Sequence, residues 1–323
     1  MPNLAKMEPT TPEAANAALA SRGYLERINR AIDHVMRHLS EPLPLEEVAR
    51  AAHFSPFHFH RIFRALVGET VHDFVKRVRL ERALHLLSHG SKALTLTEVA
   101  LACGFSSSSD FSRSFRSHFG VPPSVFDVQQ HRRMRREQMA GELLPQARRH
   151  HLAQLSLGEN PDGFAVRLRH APARRVAYLR VFRPYGGHAV EQAAARLLAW
   201  ARERGLAGGQ WLGYQWEDPE IVPLEQCRYD VGVEIPAGVR VEGEVGATEF
   251  AAMTLAEVAI AGPIELEMRA IEWLYKTWLP ASGYVPDHQP GFEAWQGEPF
   301  AHGREHFELR VQVPVVRAGA APG

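Results

Sequence analysis

An internal repeat in the first half of the chain constrains the fold more than any other feature. Leu45–Ser55 matches Leu96–Ser106 with 7 identities, and 5 further identities lead up to Gly68 and Gly120 after a one-residue insertion. A shared apolar rhythm alone does not reproduce a Phe-Ser turn and arginines at matched places. Leu45–Gly68, the first unit, and Leu96–Gly120, the second unit, are therefore predicted to form the same structure twice.

Each unit is typical of a helix, a tight turn and a second helix. In the first unit, Ser55-Pro56 supplies an N-cap followed by proline at the first helical position. Ser106 is predicted to be the matching cap in the second unit. Gly68 and Gly120 supply the C-terminal stops of the second helices. The pattern predicts two helix-turn-helix units.

The outward faces of the second helices indicate what these units bind. After a helix and a turn, an exposed helix start with short donors and an arginine is typical of a helix that reads the DNA major groove. A solvated face is the alternative for a single copy, but two matched copies favour DNA reading. The candidate DNA contacts are Phe57, His58, His60, Arg61, Arg64, Ser108, Ser109, Asp110, Ser112, Arg113 and Arg116.

A long helix over Val71–Leu87 is predicted to connect the two units and to hold them at a fixed separation. Adjacent major grooves on one side of a duplex are about 34 Å apart, so one chain would cover an asymmetric site of roughly 20 base pairs. A monomer would therefore be sufficient. Lys76, Arg77 and Arg79 lie where phosphate contact is possible, or they only solvate an exposed helix face.

Residues from about Arg27 to Val128 resemble the DNA-binding domain of AraC/XylS-type bacterial transcription regulators. The resemblance rests on the two units and on the closing segment Phe119–Phe126, in which Pro122-Pro123 ends one helix before Ser124 caps the next. It implies a promoter-binding activator that contacts RNA polymerase. It also assigns base contacts to Phe57, His60 and Arg61 in the first unit and to Ser108, Ser109, Ser112 and Arg113 in the second. Phe57 and His60 replace the Trp and Gln of well-known members, so their target sequence does not transfer.

Charge and composition separate the two halves of the chain. Residues 1–150 carry 21 Lys+Arg against 15 Asp+Glu, and the remainder carries 16 against 22. The basic half is therefore the one that could approach phosphate. Two cysteines in different halves exclude a disulfide framework, and no run of apolar residues is long enough to span a membrane. We expect a soluble, cytoplasmic protein without a membrane partner.

The sequence pattern of the acidic half, which follows residue 150, predicts a separate α+β domain. Strands at Arg175–Phe182, Trp211–Trp216, Tyr229–Ile235, Phe250–Ile260 and Phe307–Val313 alternate with two helices that contain tryptophan. This order, repeated once, indicates two pseudo-repeated halves with a cleft between them. The predicted domain plan is a tail over 1–24, the DNA-binding domain over 25–130, a basic linker over 131–160, an α+β domain over 161–316 and a tail over 317–323.

Residues from about Phe164 to Val315 resemble the GyrI-like effector-binding domain, which also follows AraC-type domains in Rob-like regulators. The matching segments are Arg183–Gly186, Cys227–Asp230, Trp278–Tyr284 and Phe292–Trp295. The resemblance implies that aromatic side chains and a buried glutamate on the last strand, best matched by Glu308, hold an organic cation. Such a carboxylate favours a cationic ligand, and ring faces add to the attraction. The candidate ligand contacts are Tyr214, Trp216, Trp273, Phe292, Trp295 and Glu308.

Several alternatives remain open at this point. Glu308 shares a strand face with Arg310 and fits an exposed cross-strand pair equally well, and tryptophans at helical spacing also fit a core. The basic run His131–Arg136 fits either phosphate contact or a solvated helix end. The α+β domain could instead hydrolyse small electrophiles or dock a protein. We expect no enzyme activity, cofactor or metal, because His302 and His306 lack an assignable third ligand and no nucleophile elbow or phosphate-binding loop occurs.

Overall fold

The computed structural model describes residues 12–89, 94–143, 155–156, 158–185, 187–287 and 289–318. A helical N-terminal region is followed by a C-terminal α+β domain built on one antiparallel sheet. The fold class therefore follows the sequence prediction. No helix within the described ranges is long and apolar enough to cross a membrane.

The N-terminal region contains seven described α-helices, two pairs of which form the repeated units. The first unit is α2 and α3, the second is α5 and α6, and α4 joins them. The helices are α1 (Pro12–Arg37), α2 (Leu45–Ala51), α3 (Pro56–Val67), α4 (Val71–His89), α5 (Leu96–Ala102), α6 (Ser108–Phe119) and α7 (Val128–Leu143), with a 3-10 turn at Pro123–Val125.

The connecting helix α4 belongs to the cores of both units, which makes it a rigid strut. Its N-terminal half buries Phe74 in the same cluster as Phe59 and Phe63 of the first unit. Its C-terminal half buries Leu84 in the same cluster as Phe111 of the second unit. Because neither unit can turn about α4 without opening a packed core, their separation is fixed.

The second helices of the two units, α3 and α6, are the predicted DNA-reading helices and are called the reading helices. Their ends follow the sequence pattern except for the position of one N-cap. Gly68 and Gly120 end them in the left-handed region, with φ of 94° and 82°. The cap of α6 is Ser107, whose hydroxyl accepts from the Asp110 amide at 3.1 Å, and not Ser106 as predicted. The inserted residue lengthens the second turn and moves the cap position by one. Ser106 instead donates to the Asp110 carboxylate at 3.0 Å.

The C-terminal domain pairs all nine described strands antiparallel in one sheet. The strands are β1 (Arg167–Ala171), β2 (Arg174–Phe182), β3 (Trp211–Gln215), β4 (Arg228–Ile235), β5 (Gly246–Phe250), β6 (Met253–Gly262), β7 (Tyr284–Pro286), β8 (Phe292–Trp295) and β9 (Phe307–Arg317). The helices are α8 (Ala189–Glu203), α9 (Ile264–Trp273) and α10 (Leu279–Ser282), with a π-helical turn at Leu274–Trp278 between the last two.

The strand order has the two-half symmetry that the sequence indicates. The order is β1-β6-β9-β8-β3-β4-β2-β5, with β7 paired to β9. Each half runs strand, helix, strand, strand, as β2-α8-β3-β4 and β6-α9-β8-β9, and the halves meet where β8 pairs with β3. Side chains alternate along each strand, so Trp211 packs in the cluster under α8 while Leu212 and Tyr214 lie on the other face.

Two segments outside the units depart from the predicted domain plan. The predicted tail over 1–24 is helical from Pro12 onward, since α1 continues unbroken to Arg37 and buries Ile28 and Ile32 in the first unit's core. The predicted linker over 131–160 begins inside α7, and its residues 144–154 and 157 lie outside the described residues. Both helices contact the C-terminal domain, as described below.

Candidate functional site

The predicted DNA contacts lie on the surfaces of the two reading helices. On α3, Phe57, His58, His60, Arg61 and Arg64 are all exposed. On α6, Ser109, Arg113 and Arg116 are exposed, and Ser108, Asp110 and Ser112 are half-buried. His60 and Asp110 line the same surface cleft, so both helices border one side of the N-terminal region. The structure therefore brings the two candidate sets to a common surface.

The arginines of this surface have no carboxylate partner among the described residues. Within the described part of the chain, no carboxylate lies within 4.0 Å of Arg61, Arg64, Arg113 or Arg116. The Arg61 guanidinium stacks over the Phe57 ring at 4.9 Å. Exposed guanidinium groups without a carboxylate partner are available for phosphate oxygens and guanine edges.

Helix α7 uses its basic run to hold the C-terminal domain. Arg132 bonds to Asp218 at 2.6 Å and to Glu220 at 3.1 Å, and Arg136 pairs with Glu220 and with Glu272. These carboxylates belong to the C-terminal domain. The sequence left phosphate contact and a solvated helix end open for His131–Arg136. Phosphate contact is excluded for Arg132 and Arg136, because carboxylates of the chain already pair with both.

Glu217, in the loop between β3 and β4, ties the strut to the sheet. Its buried carboxylate accepts from the Arg228 guanidinium at 2.7 Å and from the Arg228 amide at 2.9 Å. Arg77 of α4 lies 3.6 Å away and also pairs with Glu69 and Glu81 at 2.6 Å. Burial raises the pKa of Glu81 to about 7, against the opposing effect of Arg77. Arg77 is therefore an interface residue and not a phosphate contact.

Helix α1 makes a second ionic contact with the sheet. Asp33 accepts from Arg180 at 3.0 Å and from the Tyr178 hydroxyl at 2.6 Å, and Arg180 also forms a bidentate pair with the buried Asp230. Ile221 and Val222 add apolar contact to the second unit's core. The two domains are thus joined by buried contacts.

The predicted ligand contacts Tyr214, Trp216 and Phe292 do come together, on the sheet face away from α8. They form a cluster with Phe250, and ring centroids of neighbours lie 5.0–6.4 Å apart. However, the chain's own Arg174 already occupies this cluster, with its guanidinium carbon 4.2 Å from the Phe292 centroid. The aromatic faces predicted to bind a ligand cation therefore contact the guanidinium group of Arg174 instead.

The other predicted ligand contacts lie elsewhere, which corrects the idea of a single cage around Glu308. Trp273, the last residue of α9, is buried in a cluster with β6 and β9, and Trp295 packs with Phe300 and Phe307 on the α8 side of the sheet. Glu308 is 38% exposed and lies 3.6 Å from His302 and 3.5 Å from His306. The aromatic residues and the glutamate were assigned from local spacing, which does not determine the face or the half of the sheet.

A buried carboxyl pair that sequence reasoning missed lies where the two halves meet. Glu267 of α9 and Glu293 of β8 are hydrogen-bonded to each other, and the Tyr229 hydroxyl donates to Glu293 at 2.5 Å. Burial raises the pKa of Glu293 to about 7 and raises that of Glu267 well above its usual value. The available signal was a glutamate inside the aromatic strand Phe292–Trp295.

Gly213 of β3 makes room for this pair. A Cβ at Gly213 would lie 1.7 Å from the Tyr229 hydroxyl and 2.8 Å from a Glu293 carboxylate oxygen. Any larger residue would therefore displace the hydroxyl that Glu293 accepts from. A glycine in the interior of a strand often marks such a close approach.

A cavity of about 180 Å³ opens between the N-termini of α8 and α9, where residues of both halves of the domain line it. Ile264 in its wall is one helical turn before Glu267, and Pro184 precedes Tyr185, whose hydroxyl donates to Gln215 at 2.8 Å. The remaining lining residues are Gly187, Val190, Glu191, Phe300, Arg304 and Phe307. The cavity is thus lined by apolar side chains and by the ion pair between Glu191 and Arg304.

The raised pKa of Glu293 predicts how stability changes with pH. Between its ordinary value of 4.5 and about 7, the native state keeps a proton that the unfolded chain releases. The free energy of unfolding should therefore fall as the pH rises through this window, by about 3 kcal/mol for this one group. Urea unfolding at several pH values would measure the slope. In Glu293→Gln the slope should be smaller; an unchanged slope would contradict a native-state proton on this pair.

Comparison with known families matches both domains. Residues 48–129 match the family described as a helix-turn-helix domain, and residues 164–316 match the family described as a GyrI-like small molecule binding domain. The second match covers the whole described sheet and the cleft between its halves.

Known relatives resemble the N-terminal region. PqrA of Proteus vulgaris, named a probable transcription factor, is 32% identical over 87 residues, which are 27% of this chain and 70% of PqrA. LumQ of Photobacterium leiognathi, named a probable transcriptional regulator, is 33% identical over 104 residues, which are 32% of this chain and 41% of LumQ. The chain likewise spans only 34% and 39% of the length of two further curated relatives.

The C-terminal domain resembles the crystal structure of a hydrolase from Listeria innocua, with a TM-score of 0.38 and 11% identity over 47% of this chain and 92% of that one. A likeness of this degree carries no inference about activity.

Two matched helix-turn-helix units on one strut, joined to a GyrI-like domain, define a two-domain helix-turn-helix protein. The chain belongs to the AraC-type family of helix-turn-helix transcriptional regulators.

Proposed function

We propose that this chain is a sequence-specific transcription regulator that reads two adjacent major grooves of promoter DNA as a monomer, in the cytoplasm and together with RNA polymerase. The observation that carries the proposal is the pair of matched reading helices that border one cleft and present four arginines without a carboxylate partner in the described residues. The names of LumQ and PqrA agree with this role. The residues that read bases are the candidate DNA contacts of α3 and α6 named above.

Selection of bound duplexes from a random pool tests the DNA function. The expected product is an asymmetric motif of roughly 20 base pairs with two conserved blocks about one helical turn apart. A pool that does not converge would contradict sequence-specific reading. A palindromic motif would contradict the assignment of both blocks to one chain, because palindromy mirrors a protein dimer.

We propose that the C-terminal domain senses a small organic cation in the cleft between its two halves, with the carboxyl pair Glu267 and Glu293 as the anionic group. A carboxyl pair that shares a proton can become fully ionised when a cation lies nearby, because the cation offsets the cost of the second buried charge. The cavity volume of about 180 Å³ suits one substituted aromatic ring. This proposal replaces Glu308 by Glu293 as the anionic residue and assumes binding without turnover.

Phenyltrimethylammonium and its uncharged isostere tert-butylbenzene test this assignment. At about pH 8, Glu293→Gln should lower the affinity for phenyltrimethylammonium about tenfold. The reason is that a carboxylate–cation attraction at this range is worth on the order of 1–2 kcal/mol. The affinity for tert-butylbenzene should not change. Isothermal titration of the full chain measures both.

Glu308→Gln is the matched control, because Glu308 is a half-buried glutamate of the same domain that does not line the cavity. Equal affinities of all three proteins for the cation would remove Glu293 from the site. A loss in Glu308→Gln alone would restore the sequence-based assignment. Turnover of small electrophiles would instead favour the hydrolase alternative.

The interface supports a route between the two functions. Tyr229, which bonds to Glu293, is next to Arg228, which bonds to the Glu217 carboxylate beside Arg77 of the strut. A ligand that moves Tyr229 therefore acts close to the contact between sheet and strut. Linkage requires that such a ligand bind free and DNA-bound protein with different affinities. Equal affinities in the two titrations would contradict coupling through DNA binding.

A further inference from the structure

A second cavity, of about 510 Å³, lies between the two helix-turn-helix units. The strut α4 forms its floor, and its two sides come from the reading helices and from the start of α2. The lining residues are Leu43, Pro44, Leu45, His60, Thr70, Val71, His72, Val75, Lys76, Arg79, Phe105, Asp110 and Ser114. This surface is called the inter-unit cleft below.

Among the side chains of the inter-unit cleft that lack a partner within the described residues, more are cationic than anionic. Arg79 is already engaged, since it donates to the Leu39 carbonyl at 3.0 Å and to the Glu41 carbonyl at 2.6 Å. No ion pair or side-chain hydrogen bond within the described residues involves His60, His72 or Lys76. His72 is exposed, and Lys76 follows it by one helical turn on the same face.

The carboxylates near the cleft are held by other groups. Asp110, which lines it, accepts from the Ser106 hydroxyl at 3.0 Å and is attracted to Arg79. Asp73, on the first turn of α4, accepts from the Thr70 hydroxyl at 2.6 Å. The free cationic groups of the floor therefore remain without a matching anion from the protein.

We propose that the inter-unit cleft receives the phosphodiester strand that runs between the two major grooves, with Lys76 and His72 as its phosphate contacts. The inference rests on the proposed function, because it needs both reading helices in adjacent grooves. Between two such grooves on one side of a duplex lies the minor groove, bordered by phosphate strands. The strut spans the same interval, and its His72 and Lys76 face the cleft. Such contacts position the protein and carry no sequence information.

Salt dependence of binding to a mixed-sequence duplex of about 30 base pairs tests the proposal without knowledge of the operator. The full chain is titrated between about 50 and 200 mM salt, and the slope of log K against log salt counts phosphate contacts at about 0.9 each. Lys76→Gln should reduce the slope by about 0.9, because it removes one phosphate contact. His72→Ala should weaken binding to the same duplex, because it removes an imidazole N–H donor to the same strand.

His302→Ala and Lys276→Gln in the C-terminal domain are matched controls and should keep the wild-type slope and affinity. A wild-type slope for Lys76→Gln together with a wild-type affinity for His72→Ala would overturn the cleft as a phosphate site. If wild type binds no duplex, the proposed function itself fails, which is a separate result. Because His72 and Lys76 are tested singly, one unstable variant leaves the other decisive.

Discussion

Arg61→Ala and Arg113→Ala will each weaken binding to the selected DNA site by about 1–3 kcal/mol, and the double variant by about 2–6 kcal/mol. Each arginine is exposed on a different reading helix and has no carboxylate partner in the described residues. Removing either one therefore leaves the fold intact and deprives one groove of a base contact. The two sites share no partner, so their losses should add.

Competition binding with the selected site and with a scrambled duplex measures the effect. The loss should fall mainly on the selected site, with each variant relaxing specificity at its own block of bases. Arg204→Ala, an exposed arginine on the C-terminal domain, is the control. Equal losses on both duplexes would reduce Arg61 and Arg113 to phosphate contacts, and no loss would remove them from the interface.

Glu217→Ala will lower the free energy of unfolding by about 3–5 kcal/mol, the usual cost of leaving a buried charge without its partner. The substitution strips Arg228, which is 1% exposed, of its carboxylate and removes one of the anions around Arg77. It also removes the acceptor of the Arg228 amide. Because Arg77 belongs to the strut, the contact between the domains should weaken together with the sheet.

Urea unfolding compares Glu217→Ala with Glu298→Ala. Glu298 pairs with Arg202 at 2.7 Å, but both side chains are largely exposed, so this loss should be below about 1 kcal/mol. Similar losses in the two variants would contradict a buried anchor at Glu217. Separate unfolding of the two domains only in Glu217→Ala would agree with its position between them.

The helix-turn-helix units were predictable because their determinants are local. Helix periodicity, the glycines Gly68 and Gly120 and the repeated turn are all set by residues close in sequence. Even there, the inserted residue moved the cap from Ser106 to Ser107. The strut was predicted over Val71–Leu87 and is helical over Val71–His89, a stretch without glycine or proline.

The C-terminal domain was predictable as a sheet with two similar halves, but the carboxyl pair between them was not. Glu267 and Glu293 are 26 positions apart, and only the packing of α9 against the strands beside β8 brings their carboxyl groups together. Likewise, the basic run of α7 could not be assigned from its own charge, because its partners Asp218 and Glu220 lie in a distant loop. Local spacing identifies elements and leaves long-range partners undetermined.

Hydroxyl-radical footprinting of the selected site tests the central claim, which is that one chain reads two successive grooves with both helices. A monomeric protein should protect two windows about 10 base pairs apart on the same side of the duplex, and Arg113→Ala should weaken the contacts of one window only. A single protected window, or two windows that require two protein chains, would contradict it.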